Sequence, residues 1–184
     1  KNSIFIFGGR FPLYLTDYRF DNQEGGAEGA EMIGKYLPVG KYDTIQNSFK
    51  NEVLELSNNN KIILVYPIPE VGWNLPLKLL NSLPKRVDLI KNYLVPRNYI
   101  TTSYEVYKDR TQSSFELLDS IKDENIYRVY PHTLFCDTLI KDRCVTHADK
   151  SIFYFDDNHP SLKGAEMIND LIMKEIEKIE LKSN

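Results

Sequence analysis

The sequence lacks any run approaching the roughly 20 apolar residues that a membrane-spanning helix needs. Its first residues also lack the basic, apolar and small-residue regions of a signal peptide. Neither sign of charge is in excess, because 23 basic residues stand against 26 acidic ones and the formal net charge is −3. This balance argues against a nucleic-acid partner, and none is predicted. The length of 184 residues predicts a single domain, residues 1–184, with a sizeable core.

Cysteine is scarce, since Cys136 and Cys144 are the only two and lie close together in a polar stretch. Neither is accompanied by the second Cys or His pair that a zinc site requires. His132 and His147 also have no second ligand at metal spacing, so no metal site is predicted. From spacing alone, the cysteines are either free thiols in a cytoplasmic protein or a small disulfide loop in an oxidising compartment.

Three short runs rich in β-branched and aromatic residues predict buried strands. The runs cover residues 3–7, 61–66 and 126–130. Glycine or proline follows each run, so the backbone is expected to turn at the carboxyl end of every strand. Open α/β sheets place their functional sites at those ends.

Helical periodicity fills segments between these strands and after them. It is clearest at the C-terminus, where apolar residues from Leu162 to Ile179 form one stripe and charged residues cover the other faces. Segments 25–29 and 69–96 predict long loops with short helical pieces, and the second holds the only tryptophan, Trp73. The alternation of strands and helices predicts a three-layer α/β/α fold with a parallel sheet.

The segment from residue 153 to residue 165 places two carboxylates, an imidazole and a helix start close together. In a serine-type triad, a histidine takes the proton of the nucleophile, and a carboxylate bonded to its other nitrogen fixes the tautomer. Asp156 and His159, three residues apart on a predicted turn, have the spacing for such a pair. The alternative is that Asp156 or Ser161 caps the last helix while His159 lies on a solvated loop.

Four sequence features, in this order, resemble the SGNH hydrolases. More narrowly, they resemble the SGNH domains fused to bacterial membrane O-acyltransferases of acyltransferase family three. The features are Gly-Gly-Arg-Phe from Gly8, Tyr-Pro-Ile-Pro-Glu from Tyr66, Leu-Phe-Cys from Leu134 with a later cysteine, and the Asp-x-x-His block from Asp156. The similarity spans nearly the whole chain and implies a flavodoxin-like SGNH fold.

The resemblance implies a role for each matching residue. His159 is expected to act as general base and then general acid, with Asp156 as the carboxylate that orients it. Arg10, next to Gly9, stands where most of the family has an asparagine that donates to the oxyanion, and the fused branch commonly has arginine there. The alternative is that Arg10 only pairs with a nearby acid at the rim of the sheet.

Weaker candidates lie in two other segments. Glu70 and Trp73, on the loop after the second strand, are candidates for lining a glycan or acyl site, with ordinary loop packing as the alternative for Trp73. The matching cysteine pair of the resembled family implies a disulfide between Cys136 and Cys144. An extracytoplasmic location, periplasmic or on the outer face, agrees with such a bond.

The nucleophile block of the family, a Gly-Asp-Ser strand end, does not occur in this sequence. The second block is also absent, and both precede the block that contains Arg10 in the order of the family. The resemblance therefore implies that the nucleophilic serine and the first two strands lie upstream of Lys1. A sheet without those strands is expected to expose unpaired backbone and apolar surface.

The resemblance implies the soluble module of an acyltransferase tethered to the cytoplasmic membrane. The expected reaction transfers an acyl group, expected to be acetyl, to a cell-surface polysaccharide such as lipopolysaccharide through a seryl ester. The expected partners are a glycan acceptor, an acyl donor and the upstream membrane domain; no cofactor is implied, and a homo-oligomer remains open. The 184-residue chain alone is expected to be inactive. The alternatives are a free-standing carbohydrate esterase and a non-catalytic glycan-binding or interaction domain.

Overall fold

A computed structural model describes residues 3–29, 36–38, 40–82, 99–148 and 150–183. The strands are β1 Ile4–Gly8, β2 Lys61–Val65, β3 Thr101–Ser103, β4 Ile126–Val129, β5 Arg143–Val145, β6 His147–Ala148 and β7 Ser151–Ile152. The helices are α1 Phe11–Leu15, α2 Ile45–Ser57, α3 Leu75–Ser82, α4 Tyr104–Ser120 and α5 Leu162–Ser183, with a 3₁₀ turn at Pro131–Leu134. The three predicted strands and the C-terminal helix are confirmed, with small shifts at strand ends.

The central sheet is parallel and has the strand order β1-β2-β4 among the described residues. Ile4 lies opposite Lys61, and Ile62 lies opposite Ile126. Because parallel strands end at the same edge, the loops after β1, β2 and β4 all emerge at one edge of the sheet. The predicted α/β fold with a parallel sheet is therefore confirmed.

Helices cover both faces of this sheet. Side chains alternate along β2, so Ile63 and Ile62 face opposite sides. One core cluster joins Ile63 to Ile168 of α5, and the other joins Ile62 to Val53 of α2 and to residues of α4. The predicted three layers follow from these two apolar clusters.

Strand β1 forms one end of the central sheet. Its side chains are less protected than those of β2, since Phe5 is 38% exposed and Ile6 is 48% exposed, while Ile62 and Ile63 are fully buried. Among the described residues, β1 is therefore an edge strand with partly exposed apolar side chains.

The two cysteines form a disulfide, so the alternative of two free thiols is wrong. Cys144 lies on β5, which pairs with β3 in a small antiparallel sheet, and Cys136 follows the 3₁₀ turn. Within the segment predicted as a loop at 69–96, α3 is the helical piece, and residues 83–98 lie outside the described residues.

Candidate active site

Asp156 and His159 form a hydrogen-bonded pair on the turn before α5. The backbone N–H groups of Asn158 and His159 donate to Asp156 Oδ1 at 3.0 and 2.8 Å. The His159 ring meets Asp156 Oδ2 through Nδ1 at 2.8 Å. The imidazole is 71% exposed, and no described residue bonds its Nε2. The prediction that Asp156 bonds His159 is confirmed, with the other ring nitrogen left open to a reactant.

The electrostatics of this pair favour an ionised Asp156. Burial alone would raise the pKa of Asp156, but the N–H groups of Asn158 and His159 and the His159 ring outweigh it and hold that pKa below its ordinary value. An ionised carboxylate accepts from Nδ1–H, which leaves Nε2 of a neutral ring as a proton acceptor.

Backbone hydrogen bonds from the β2–α3 loop hold the turn in place. The Val71 and Gly72 N–H groups both donate to the carbonyl of Asp157, at 2.8 and 2.9 Å. Gly72 has a φ of 77°, a conformation that glycine adopts without the strain of a Cβ atom. Phe155 N–H also donates to the His159 carbonyl at 2.7 Å and closes the turn.

Helix α5 starts immediately after the turn. Ser161 Oγ accepts from Gly164 N–H at 3.2 Å, so this serine caps the helix, as one of the sequence alternatives predicted. A Cβ atom on Gly164 would lie 2.2 Å from the Phe153 carbonyl oxygen. The absence of a side chain at Gly164 therefore lets the first turn of α5 pack directly on the strand-like segment before Asp156.

Arg10 is bound by two carboxylates. Its Nε donates to Glu70 Oε1 at 2.7 Å and its Nη1 donates to Glu28 Oε1 at 2.7 Å, while Nη2 contacts both acids. Glu70 also accepts from Arg110 Nε at 3.0 Å, and Arg19 lies 3.4 Å from Glu28. Pairing with an acid at the sheet rim, the alternative reading of Arg10, is therefore observed.

Arg10 and His159 nevertheless line the same cavity, as predicted for a shared cleft. The cavity has a volume of about 290 Å³ and lies at the carboxyl edge of the central sheet. Its lining consists of Gly9, Arg10, Pro12, Val65, Tyr66, Pro67, Ile68, Glu70, Asn158, His159, Pro160 and Ile168. The site therefore combines a cation, an imidazole and a largely apolar wall.

Two predicted residues reach this cavity only in part or not at all. Glu70 lines it, but both of its oxygens are occupied by arginines. Trp73 is absent from the lining, and its ring lies under Lys78 Nζ at 3.9 Å to the ring centroid. His147, which was not predicted to be a metal ligand, accepts from Ile100 N–H at 3.0 Å through Nε2.

Glu28 and Asn158 belong to the site but were not singled out from the sequence. Asn158 Nδ2 donates to Glu28 Oε1 at 3.2 Å, which connects the histidine turn to the partner of Arg10. Asn158 lies inside the Asp-x-x-His block, so its position was a usable signal. Glu28 carried no such sequence signal, because its contact with Arg10 spans 18 residues of chain and its contact with Asn158 spans 130.

The described part of the cavity wall contains no serine, threonine or cysteine. Among the described residues, no group of His, Cys, Asp and Glu side chains is arranged to hold a metal ion. No helix within the described ranges is long and apolar enough to cross a membrane.

Comparison with known proteins gives a family match. Residues 1–174 match the family described as the SGNH domain fused to AT3 domains. No curated protein gives a significant match. The periplasmic domain of a lipopolysaccharide acetyltransferase from Salmonella ser. Paratyphi A aligns over 73% of this chain at 17% identity, with a TM-score of 0.45. The aligned part covers 48% of that solved structure, so the chain spans about half its length.

Proposed function

This chain belongs to the family of SGNH domains fused to AT3 domains, and from that premise we propose that it works in the transfer of an acyl group to a cell-surface glycan. The family resemblance inferred from the motifs is thereby confirmed over residues 1–174. The acyl group in this proposal is acetyl, and the acceptor is a hydroxyl of a polysaccharide such as lipopolysaccharide.

The observation that carries the proposal is that His159, which is hydrogen-bonded to Asp156, lines a cavity together with Arg10. In the proposed reaction, His159 Nε2 takes the proton of a serine hydroxyl while the serine oxygen attacks the acyl carbonyl of the donor. The leaving group takes that proton as the seryl ester forms. A glycan hydroxyl then gives its proton to His159 and attacks the seryl ester, and His159 returns that proton to the departing serine oxygen, which regenerates the serine.

Arg10 is proposed to stabilise the negative charge that develops on the carbonyl oxygen in both steps. Its guanidinium is permanently cationic, and its two carboxylate partners hold it at the cavity wall. Burial would lower the pKa of Arg10, but hydrogen bonds and charges from Glu28 and Glu70 raise it overall. We assign Gly9 and Glu70 to the same wall, as backbone and as partner of Arg10.

The serine in this proposal comes from outside the 184 residues, since no Gly-Asp-Ser occurs in the sequence. Strand β1 runs toward the cavity and ends at Gly8, two residues before Arg10. A preceding strand that paired in parallel with the outer edge of β1 would end beside His159. We propose that the two N-terminal strands of the family complete the sheet there and deliver the serine.

The proposed location is extracytoplasmic, with the chain tethered through a membrane acyltransferase domain. The Cys136–Cys144 disulfide supports it, because such bonds persist in oxidising compartments. A carbohydrate esterase that uses water as acceptor would need the same residues. The second candidate is a non-catalytic glycan-binding domain, in which Arg10 only forms its ion pairs with Glu28 and Glu70.

The test compares the 184-residue chain with a longer form of the protein that includes a Gly-Asp-Ser segment, in aryl acetate hydrolysis. We expect no turnover from the short chain and turnover from the longer form. His159→Ala in the longer form is expected to reduce the rate to the residual level of about 10³ to 10⁴ over water that remains without a triad member. Activity that survives His159→Ala would contradict the proposal, and an inactive longer form would favour the binding domain.

A further inference from the structure

Glu28 joins the two halves of the candidate site. It lies in the loop after α1, and its side chain is only 11% exposed. Its carboxylate accepts from Arg10 Nη1 at 2.7 Å and from Nη2, and it also accepts from Asn158 Nδ2 at 3.2 Å. One carboxylate therefore contacts both the cation of the cavity wall and the turn that carries His159.

The hydrogen bonds of Arg10 leave it little freedom. A guanidinium has five N–H groups. Nε and one Nη2 N–H donate to Glu70, and one Nη1 N–H and the other Nη2 N–H donate to Glu28, so four are engaged. Two charged acceptors on different sides fix the plane of the guanidinium, and a single Nη1 N–H remains for a reacting oxygen.

We propose that Glu28 is a positioning residue that fixes Arg10 relative to the Asp156–His159 turn. Glu28 touches no reacting atom in this proposal and acts through Arg10 and Asn158. The expected effect of Glu28 on catalysis rests on the proposed function. Its expected effect on the position of Arg10 does not. The proposal assigns a function to a residue that carries no recognisable sequence motif.

The loop does not depend on Glu28 for its own closure. Asn22 Oδ1 accepts from the N–H groups of Glu24 and Gly26, each at 2.8 Å, and its Nδ2 donates to the Val71 carbonyl at 2.8 Å. Glu24 accepts from two nitrogens of Arg143, at 2.5 and 2.7 Å. Asn22 and Glu24 thus anchor the loop, so the contacts of Glu28 with Arg10 and Asn158 are not needed to close it.

Glu70 differs from Glu28 in this respect. Glu70 divides its oxygens between Arg10 and Arg110, and its side chain is 5% exposed. It has no hydrogen bond to the turn at residues 156–159 among the described contacts. Loss of Glu70 would remove a charged acceptor from Arg10 and from Arg110 at once, so Glu28 is the cleaner position at which to test alignment.

The test uses Glu28→Gln and the matched control Glu24→Gln, which removes a charged acceptor from the same loop but contacts Arg143 instead of Arg10. The first readout is the hydrogen-exchange rate of the Arg10 Nη–H protons, which donate to Glu28, measured by NMR in the 184-residue chain. We expect Glu28→Gln to raise this rate about tenfold or more, since a charge-assisted hydrogen bond contributes enough free energy for that change. Glu24→Gln is expected to leave it within about twofold of the starting protein.

The second readout is steady-state hydrolysis of an aryl acetate by the longer form with a Gly-Asp-Ser segment. Glu28→Gln is expected to lower kcat about tenfold with KM within about twofold, because an oxyanion donor acts mainly in the transition state. An equal loss of kcat in Glu24→Gln, or an unchanged Arg10 exchange rate in Glu28→Gln, would overturn the inference. Failure of the proposed function alone would appear differently, as turnover that His159→Ala does not affect.

Discussion

Asp156 and Asp157 are neighbours in the chain, but their surroundings move their pKa values in opposite directions. Hydrogen bonds from Asn158, His159 N–H and the His159 ring outweigh burial at Asp156 and lower its pKa. Burial raises the pKa of Asp157, and the negative charges of Asp156 and Glu28 add to that effect. The fold therefore favours the charged form of Asp156 and the neutral form of Asp157.

Asparagine substitutions at the two positions are expected to change stability with opposite signs at pH 7. The lowered pKa of Asp156 contributes stability above its unfolded pKa of about 3.9, and that contribution is lost as the pH falls through the folded pKa. The raised pKa of Asp157 contributes stability below the unfolded pKa, which is lost as the pH rises through the folded one. Asp156→Asn is thus expected to lower the thermal unfolding midpoint and Asp157→Asn to raise it.

Each effect is expected to be about 1 kcal/mol or less, because both side chains lie partly in solvent. Thermal unfolding of the two variants at pH 7 and at pH 3 provides the measurement. The stabilisation by Asp157→Asn is expected to disappear at pH 3, where the aspartate is itself protonated. The same sign for both variants at pH 7 would contradict the assignment of their environments.

At the residue scale, the sequence predicted contacts between residues that are close in the chain, but not contacts between residues that are far apart in it. The spacing of Asp156 and His159 predicted their hydrogen bond, because three residues on a turn bring the two side chains together. Pairing of Arg10 with a nearby acid was open as an alternative, but its partners, Glu70 and Glu28, were not identified from the sequence. Such contacts depend on how loops pack across a sheet edge, which periodicity does not encode.

At the scale of helices and strands, Gly164 determines how closely α5 approaches the segment before Asp156. We expect Gly164→Ala to destabilise the protein by about 2 kcal/mol or more, since the new Cβ would lie 2.2 Å from a backbone oxygen that has little room to move. Lys163→Ala is the control, as that side chain is 53% exposed and bonds only Glu166, at 3.3 Å. Urea unfolding of both variants decides the matter, and equal midpoints would contradict the close packing.

At this scale the periodicity argument succeeded for the long elements. The amphipathic α5 was predicted from an apolar stripe that extends from Leu162 to Ile179, and the buried β2 from its β-branched composition and the proline that follows it. The short strands β3, β5, β6 and β7 were not predicted. Each has only two or three residues, which is too short for a periodic pattern. Strand β5 contains Cys144 and pairs with the distant β3, whereas β6 pairs with β7, which follows it closely in the chain.

At the scale of the whole molecule, the described central sheet has two edge strands, β1 and β4, and β1 is the edge strand that leads into Arg10. We propose that residues 1–184 belong to one domain that preceding strands complete at this edge. In the 184-residue chain, the β1 amides that do not face β2 are expected to exchange with solvent rapidly. In the longer form, parallel pairing is expected to protect them.

Hydrogen exchange measured by mass spectrometry or NMR compares the two forms, and β2 provides the internal control. Strand β2 is paired on both sides by β1 and β4, so its protection is expected to be high in both forms. Equal and rapid exchange of the β1 amides in the longer form would contradict the pairing of the preceding strands there.

The hydrogen bonds that the β2–α3 loop donates to the histidine turn have a thermodynamic consequence. Val71 and Gly72 N–H groups hold the Asp157 carbonyl, and Asp156 holds the His159 ring, before any reactant arrives. Fixing one residue costs about 1–2 kcal/mol of conformational entropy. That cost is met once, during folding, so a reaction at His159 would start from an ordered base and carry a smaller entropic barrier at each turnover.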